Sequence, residues 1–242
     1  MDKQKVALIT GSTKGIGKQL AIDLLKRGCF VILNYANSRE NAEQVRSELS
    51  TISSSFAIIK ADVSSLKGLK KLAGAVKKLT RTLDYLILNA GITKRIPFEE
   101  IKIEDWNKVF NTNLMIPFFL IQKLNPLMQP GGRIIFIGSL MGMVPHALSI
   151  PYGVSKSSLG MLAKYLVKVF ADRKITVNVL APGFVETPWQ MSKEQEHRKR
   201  IENKVAVGRF ATVEEISSTG LHLIDNGYIN GQVIVVDGGY AN

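Results

Sequence analysis

The chain carries one cysteine, Cys29, and three separated histidines, His146, His197 and His222. An internal disulfide framework and a Cys/His zinc site are therefore excluded. Glycine and proline, 20 and 8 of 242 residues, are too few for a low-complexity or disordered chain, and aromatics are only 7%. Acid is scarce. Twenty Asp and Glu face 32 Lys and Arg, a net charge of +12, which asks for an anionic partner: nucleic acid, membrane, an acidic protein or a phosphorylated cofactor. No nucleic-acid reading module or aromatic stacking platform stands out, and the charges read as dispersed, so nucleic acid is not expected. Long hydrophobic runs are also missing. The first apolar run, 6–9, is too brief for a signal-peptide core, which gives an expectation of a cytoplasmic protein. The uncharged stretch 134–155 is broken by Pro145, His146 and Pro151 and reads as strand, loop and helix start rather than a membrane span.

What is present is regular alternation. Apolar runs recur at 6–9, 30–33, 56–59, 85–88, 134–137, 175–180 and 233–236. They are continuous, as in strands buried on both faces, so they predict seven parallel strands. Helical periodicity fills the gaps at 16–27, 39–49, 66–79, 104–127, 152–171 and 213–224. Thr212 with Glu215, and Ser192 with Gln195, fit capping boxes. Strands alternating with helices throughout give an α/β, Rossmann-like, doubly wound parallel sheet between two helical layers. No linker appears. We expect one domain over 1–242, with a cofactor half at about 1–125, a catalytic and substrate half at about 126–242, and a lid at about 187–205.

The first strand ends in Thr10-Gly11-Ser12-Thr13-Lys14-Gly15-Ile16-Gly17, directly before a helix. Glycines there permit a tight turn, a close backbone approach to a pyrophosphate, and packing of helix on strand, while the helix N-terminus offers free N–H groups. The spacing is G-x-x-x-G-x-G, so it meets the generic dinucleotide fingerprint only approximately, and no Walker loop follows. After the second strand, Leu33-Asn34-Tyr35-Ala36-Asn37-Ser38-Arg39 contains no acid for a ribose 2′-hydroxyl. Lys14 and Arg39 are instead placed to meet a 2′-phosphate, which favours NADP(H) over NAD(H).

Ser139 stands at the end of a buried strand, thirteen residues before Tyr152, and Tyr152 and Lys156 share one helix face at i and i+4. A tyrosine titrates near 10, roughly three units above neutrality, and a neighbouring ammonium favours the phenolate. Ser139 can donate to an oxygen on which charge develops. A Tyr-x-x-x-Lys pair alone is common; joined to Ser139 and the glycine loop it is specific. A dinucleotide-sensing protein on the same fold would have no chemical need of these three side chains.

Together these residues resemble the classical short-chain dehydrogenase/reductases over essentially the whole chain. The family pattern is also met by Asp62-Val63, Asn89-Ala90-Gly91, Asn113 and Pro182-Gly183 with Thr187. The resemblance implies a catalytic tetrad of Ser139, Tyr152, Lys156 and Asn113, with Asn113 positioning a water beside Lys156. It implies a cofactor held by Gly11, Ser12, Thr13, Lys14, Gly15, Ile16, Gly17, Asn34, Arg39, Asp62, Val63, Asn89, Ala90, Gly91, Tyr152, Lys156, Pro182, Gly183, Val185 and Thr187. Asp62 would meet the adenine, and Lys14 matches the family's usual NADP signature. A homo-oligomer, dimer or tetramer, through the helices near 104–127 and 152–171 is implied as well.

Within the family the segments 178–187, 208–216, 229–232 and 236–239 are most similar to bacterial 3-oxoacyl-(acyl-carrier-protein) reductases. That implies an NADPH-dependent reduction of a 3-oxoacyl thioester, with an acyl carrier protein as partner. The alternative is another ketone, alcohol or sugar. Gln129-Pro130-Gly131-Gly132 replaces a basic loop residue, whereas Arg173 keeps the second basic position; Ile92-Thr93-Lys94-Arg95 lacks the usual following acid. Met141, Met143 and Leu148 should give an apolar wall. Trp189 and Met191 belong to the lid, where Trp189 either lines the pocket or packs beneath it.

Overall fold

A computed structural model of the chain describes residues 3–191 and 194–241. Ser192 and the Met191 side chain, assigned above to the second capping box and the lid, lie outside the described residues. The elements alternate as expected: β1 (Val6–Ile9), α1 (Gly15–Lys26), β2 (Phe30–Tyr35), α2 (Arg39–Ser50), β3 (Phe56–Lys60), α3 (Leu66–Leu79), β4 (Leu83–Leu88), α4 (Ile103–Phe110), α5 (Ile116–Leu124), β5 (Met128–Ile137), α6 (Ile150–Phe170), β6 (Thr176–Pro182), α7 (Pro188–Met191), α8 (Gln195–Glu202), α9 (Val213–Asp225) and β7 (Val233–Val236). The seven strands form one parallel sheet in the order β3-β2-β1-β4-β5-β6-β7. Order reverses between β1 and β4. In an open α/β sheet that reversal leaves a crevice beyond the carboxyl ends of the strands, and ligands bind there.

Successive strand residues point to opposite faces, and here both faces are covered. Leu8, Ile32, Leu86 and Ile134 pack under α3, α5 and α6. Ala7, Ile9, Val31, Leu33, Ile87 and Ile135 pack under α1, α2 and α9. Each fully buried aliphatic side chain contributes about 1.5–3 kcal/mol of transfer free energy, which is why the runs are continuous rather than alternating. Side chains cap several helices. Ser38 accepts from the Asn41 N–H, Ser65 from the Gly68 N–H, and Thr212 with Glu215 forms the expected capping box.

Three expectations are corrected. The helix expected over 104–127 is interrupted by a π-helical turn at Asn111–Met115, which widens the helix and turns Asn113 inward. The segment 129–132 is an excursion within β5: Leu83 pairs with Met128 and Tyr85 with Arg133, so four residues bulge opposite Asp84. The basic charge is not dispersed. Lys67, Lys70, Lys71, Lys77 and Lys78 of α3, with Arg81 just beyond it, are all exposed, and no acid lies between Asp62 and Asp84. No helix among the described residues is long and apolar enough to cross a membrane.

The first turn of α3 packs on the end of β3. A Cβ on Gly68 would lie 1.7 Å from the Asp62 carbonyl oxygen. Gly68→Ala should cost about 2 kcal/mol through overpacking and lower Tm by roughly 4–8 °C in thermal denaturation.

Candidate active site

Beyond the strand ends opens a cleft of about 850 Å³, a size ordinary for a cofactor and substrate together. Its floor is tied to the sheet by Thr10 and Asn89. The Thr10 hydroxyl oxygen accepts the N–H groups of Asn89 and Ala90, each at 3.0 Å. In return the Asn89 amide donates to the carbonyls of Thr10 (3.0 Å) and Gly11 (2.8 Å). Gly11 and Gly15 turn with φ of +60° and +57°, where L side chains are strained, and a Cβ on Gly15 would come 3.2 Å from Thr187. The loop therefore forms a smooth backbone cradle.

The cradle leads into α1, whose N-cap residue Lys14, just before the helix, makes no side-chain cap. By contrast α2, α3 and α9 each have a Ser or Thr cap. The free first-turn N–H groups of α1 are an anion site with no internal occupant, which fits a pyrophosphate. Lys14 is exposed and lines the same cleft.

Across the cleft Ser139, Tyr152 and Lys156 meet. Pro151 occupies the first turn of α6, where its missing N–H costs nothing, and sets Tyr152 and Lys156 on one face. The Lys156 ammonium donates to the Ile137 carbonyl at 2.7 Å and lies 5.7 Å from the Tyr152 ring centroid. Lys156 is 6% exposed, and burial pulls its pKa down to about 8. Burial pushes the Tyr152 phenol up; a hydrogen bond with Ser139 pulls the other way. This corrects the expectation that the ammonium makes the phenol acidic. The larger effect on both groups is the loss of water, which favours the neutral form of each. Trp189 of α7 stands with its ring centroid 6.2 Å from that of Tyr152, half exposed, so it lines the cleft rather than packing beneath the lid.

Most of the expected cofactor residues line this cleft: Gly11, Thr13, Lys14, Gly15, Ile16, Asp62, Val63, Asn89, Ala90, Gly91, Tyr152, Lys156, Pro182, Gly183, Val185 and Thr187. Five expected site residues do not. Ser12 and Asn34 lie behind the loop: the Ser12 hydroxyl donates to the Ile9 carbonyl, and the Asn34 amide donates to Ala61 and accepts from Gly11. Gly17 packs under Asn89, where a Cβ would lie 2.5 Å from its Nδ2. Arg39 is the exposed first residue of α2, off the wall. Asn113 is buried and spent. Its side chain accepts from the Ile92 N–H (2.9 Å) and donates to the Ile92 carbonyl (2.9 Å) and Ser155 (3.0 Å), so its amide braces the loop after β4.

The apolar wall is also revised. Leu140 and Met141 line the cleft, but 3-10 turns at Leu140–Gly142 and Ala147–Ser149 leave Met143 and Leu148 exposed and off the wall. Sequence reasoning missed Tyr35, Ala36, Ser38 and Asn41 at the end of β2, although the strand-end rule points there. It also missed Arg95, Lys204 and Tyr240, which no local pattern marks.

A glycine cradle on an uncapped helix, facing a Ser–Tyr–Lys cluster, defines a dinucleotide-dependent oxidoreductase acting on a carbonyl or hydroxyl group. The family model described as short chain dehydrogenase matches residues 5–198. The chain is 34% identical to a Staphylococcus aureus 3-oxoacyl-[acyl-carrier-protein] reductase, with 99% of each covered. It is 33% identical to the tetrahydroxynaphthalene reductase of Pyricularia oryzae, over 97% of this chain and 89% of the relative. The solved Pseudomonas aeruginosa RhlG/NADP active-site complex superposes with a TM-score of 0.90 at 31% identity, covering 98% of this chain and 96% of that one. The chain belongs to the short-chain dehydrogenase/reductase family and is an NAD(P)-dependent oxidoreductase.

Because Lys156 titrates near 8 in the fold against an ordinary 10.5, the unfolded chain holds the extra proton between those values. The cost of the buried ammonium is full below pH 8 and is relieved as pH rises toward 10.5. Wild type should gain stability relative to Lys156→Met across that window, by up to about 3 kcal/mol, in denaturation curves at matched pH.

Proposed function

We propose that the chain is an NADPH-dependent carbonyl reductase that converts a 3-oxoacyl thioester, carried on an acyl carrier protein or CoA, into the 3-hydroxyacyl form. The observation that carries the reductase is Tyr152 at the cleft with its proton favoured by burial, joined to Ser139 and beside buried Lys156. When bound, the reduced nicotinamide supplies the hydride. Ser139 donates a hydrogen bond to the substrate oxygen, and Tyr152 delivers its proton there as negative charge develops. Lys156, fixed by the Ile137 carbonyl, supplies positive charge beside the ring and a donor for the cofactor ribose. Thr10 and Asn89 hold the cradle in place, and Asn113 keeps Gly91 and Ile92 against the cleft.

NADP over NAD is supported by Lys14 on the wall and by the uncharged 34–38 segment, which offers no carboxylate to repel a 2′-phosphate. The thioester is supported by full-length similarity to carrier-protein reductases and by the apolar wall of Leu140, Met141 and Trp189. A second reading, another ketone, is favoured by Arg173. Its guanidinium is spent on Asn125 and the Met128 carbonyl and stacks over Phe170, so it is not a free cation for an acidic carrier. The single domain, with the cofactor in its first half and a lid formed by α7 and α8, is part of the proposal. So is an oligomer: Phe118, Val154, Met161, Tyr165 and Val169 expose apolar surface on α5 and α6 that a second copy would cover.

NADPH consumption against 3-oxoacyl thioesters, simple ketones, quinones and sugars tests the substrate reading; turnover confined to the ketones, quinones or sugars would refute it. Tyr152→Phe should lower kcat on the order of 10²–10⁴-fold while NADPH still binds by fluorescence titration. Lys14→Ala should raise KM for NADPH about tenfold and leave KM for NADH unchanged, a loss of one charge-assisted phosphate contact.

A further inference from the structure

The end of the cleft away from the glycine loop carries cations that the proposed reduction does not use. Around Tyr152 the lining includes apolar Leu140, Met141 and Trp189 beside polar His146, Ser149 and Gln190. At the rim they give way to exposed Arg95 and Lys204. Arg95 is held on the substrate side because the Ile96 N–H donates to the Leu148 carbonyl at 2.9 Å, which ties its loop to the segment between Ser139 and Tyr152. Lys204 follows α8 directly, its N–H donating to the Ile201 carbonyl at 2.9 Å.

Four acids of the neighbouring segments are already engaged. Asp105 takes Lys94, Glu186 and Glu202 take Arg198, and Glu196 takes Arg200. Arg95 and Lys204 have no acidic partner among the described residues. Among the described lining residues the one carboxylate is Asp62, after edge strand β3. Ser139 follows β5, four strand spacings away, roughly 19 Å at about 4.8 Å per strand. The substrate mouth is therefore positive, and partly apolar walls behind it focus that field outward.

We propose that Arg95 and Lys204 form an anion subsite that takes the phosphate of the substrate's pantetheine arm while the carbonyl lies at Tyr152. The arm's identity rests on the thioester reading above; the subsite rests on the rim itself. A carbonyl at the bottom, a partly apolar passage and cations at the lip describe a ligand with a reactive head and a distant phosphate. Arg95 offers a planar fork of donors that matches phosphate oxygens, and Lys204 a point charge. The pantetheine phosphate is common to CoA and to an acyl carrier protein.

Steady-state kinetics with three 3-oxobutyryl thioesters test this: the uncharged N-acetylcysteamine thioester, the CoA thioester and the carrier-protein thioester. Arg95→Ala and Lys204→Ala should each raise KM for the CoA and carrier thioesters about tenfold, with kcat and both constants for the uncharged thioester within twofold of wild type. Arg95→Lys should recover part of the loss. A rise for CoA alone would move the contact to the nucleotide phosphates and overturn the pantetheine assignment. Equal losses on all three, or no loss on any, would overturn the subsite. If wild type reduces none of them the thioester reading falls, and calorimetric titration of the NADP-bound enzyme with phosphopantetheine and with pantetheine decides the subsite separately. Tighter binding of the phosphorylated form, lost in Arg95→Ala, upholds it; equal binding overturns it.

Discussion

The whole cleft depends on the exchange of hydrogen bonds between Thr10 and Asn89. Parallel neighbours β1 and β4 end side by side, and a loop rich in glycine has no side chains with which to hold itself open. Thr10 accepts two N–H groups from the β4 end, and Asn89 returns two donors to the β1 end. Asn34 does the same from β2, reaching Gly11 on one side and Ala61 on the other. The cradle is thus fixed by buried amides, each of which would cost roughly 1–3 kcal/mol if left without partners. Gly17 belongs to this system: its missing side chain is the space that the Asn89 amide fills.

Much of this was legible from the chain alone, because burial on both faces of a parallel sheet leaves a strong and local trace. Runs such as 30–33 and 233–236 fall inside β2 and β7, and the crossover rule leaves few arrangements of such strands. The Ser139, Tyr152 and Lys156 constellation was legible for a different reason. It needs specific residue types at a helical spacing beside a strand end, and few other arrangements satisfy all of these. Glycines 11 and 15 were legible because only glycine takes their backbone angles without strain.

What escaped notice depends on contacts between distant segments. The π-turn at Asn111–Met115 leaves a sequence that still reads as helix; within it the Asn113 amide bonds to Ile92 and Ser155, partners far off in the chain. Met143 and Leu148 are apolar, so they looked like wall, but two short turns rotate them outward. Asn34 stands among the expected cofactor residues, although its amide is consumed by the ends of two strands, at Gly11 after β1 and at Ile59 and Ala61 of the β3 end. Arg95 and Lys204 lie more than a hundred residues apart, and neither sits in a pattern; only the fold brings both to the lining of one cleft. Charge on α3 was missed for a simpler reason, since a net figure for the chain hides where the lysines fall.

Loss of water is the largest effect on both members of the pair: it holds the Tyr152 phenol above its ordinary value, against the pull of the Ser139 hydrogen bond, and brings Lys156 down to about 8. A protonated tyrosine beside a cation can give its proton to an oxygen that gains negative charge, and takes it back in the reverse step. The Ser139 hydroxyl is hydrogen-bonded to the phenol and opposes the effect of burial on it. The same desolvation that makes Lys156 a liability for folding therefore also sets how tightly its neighbour holds its proton.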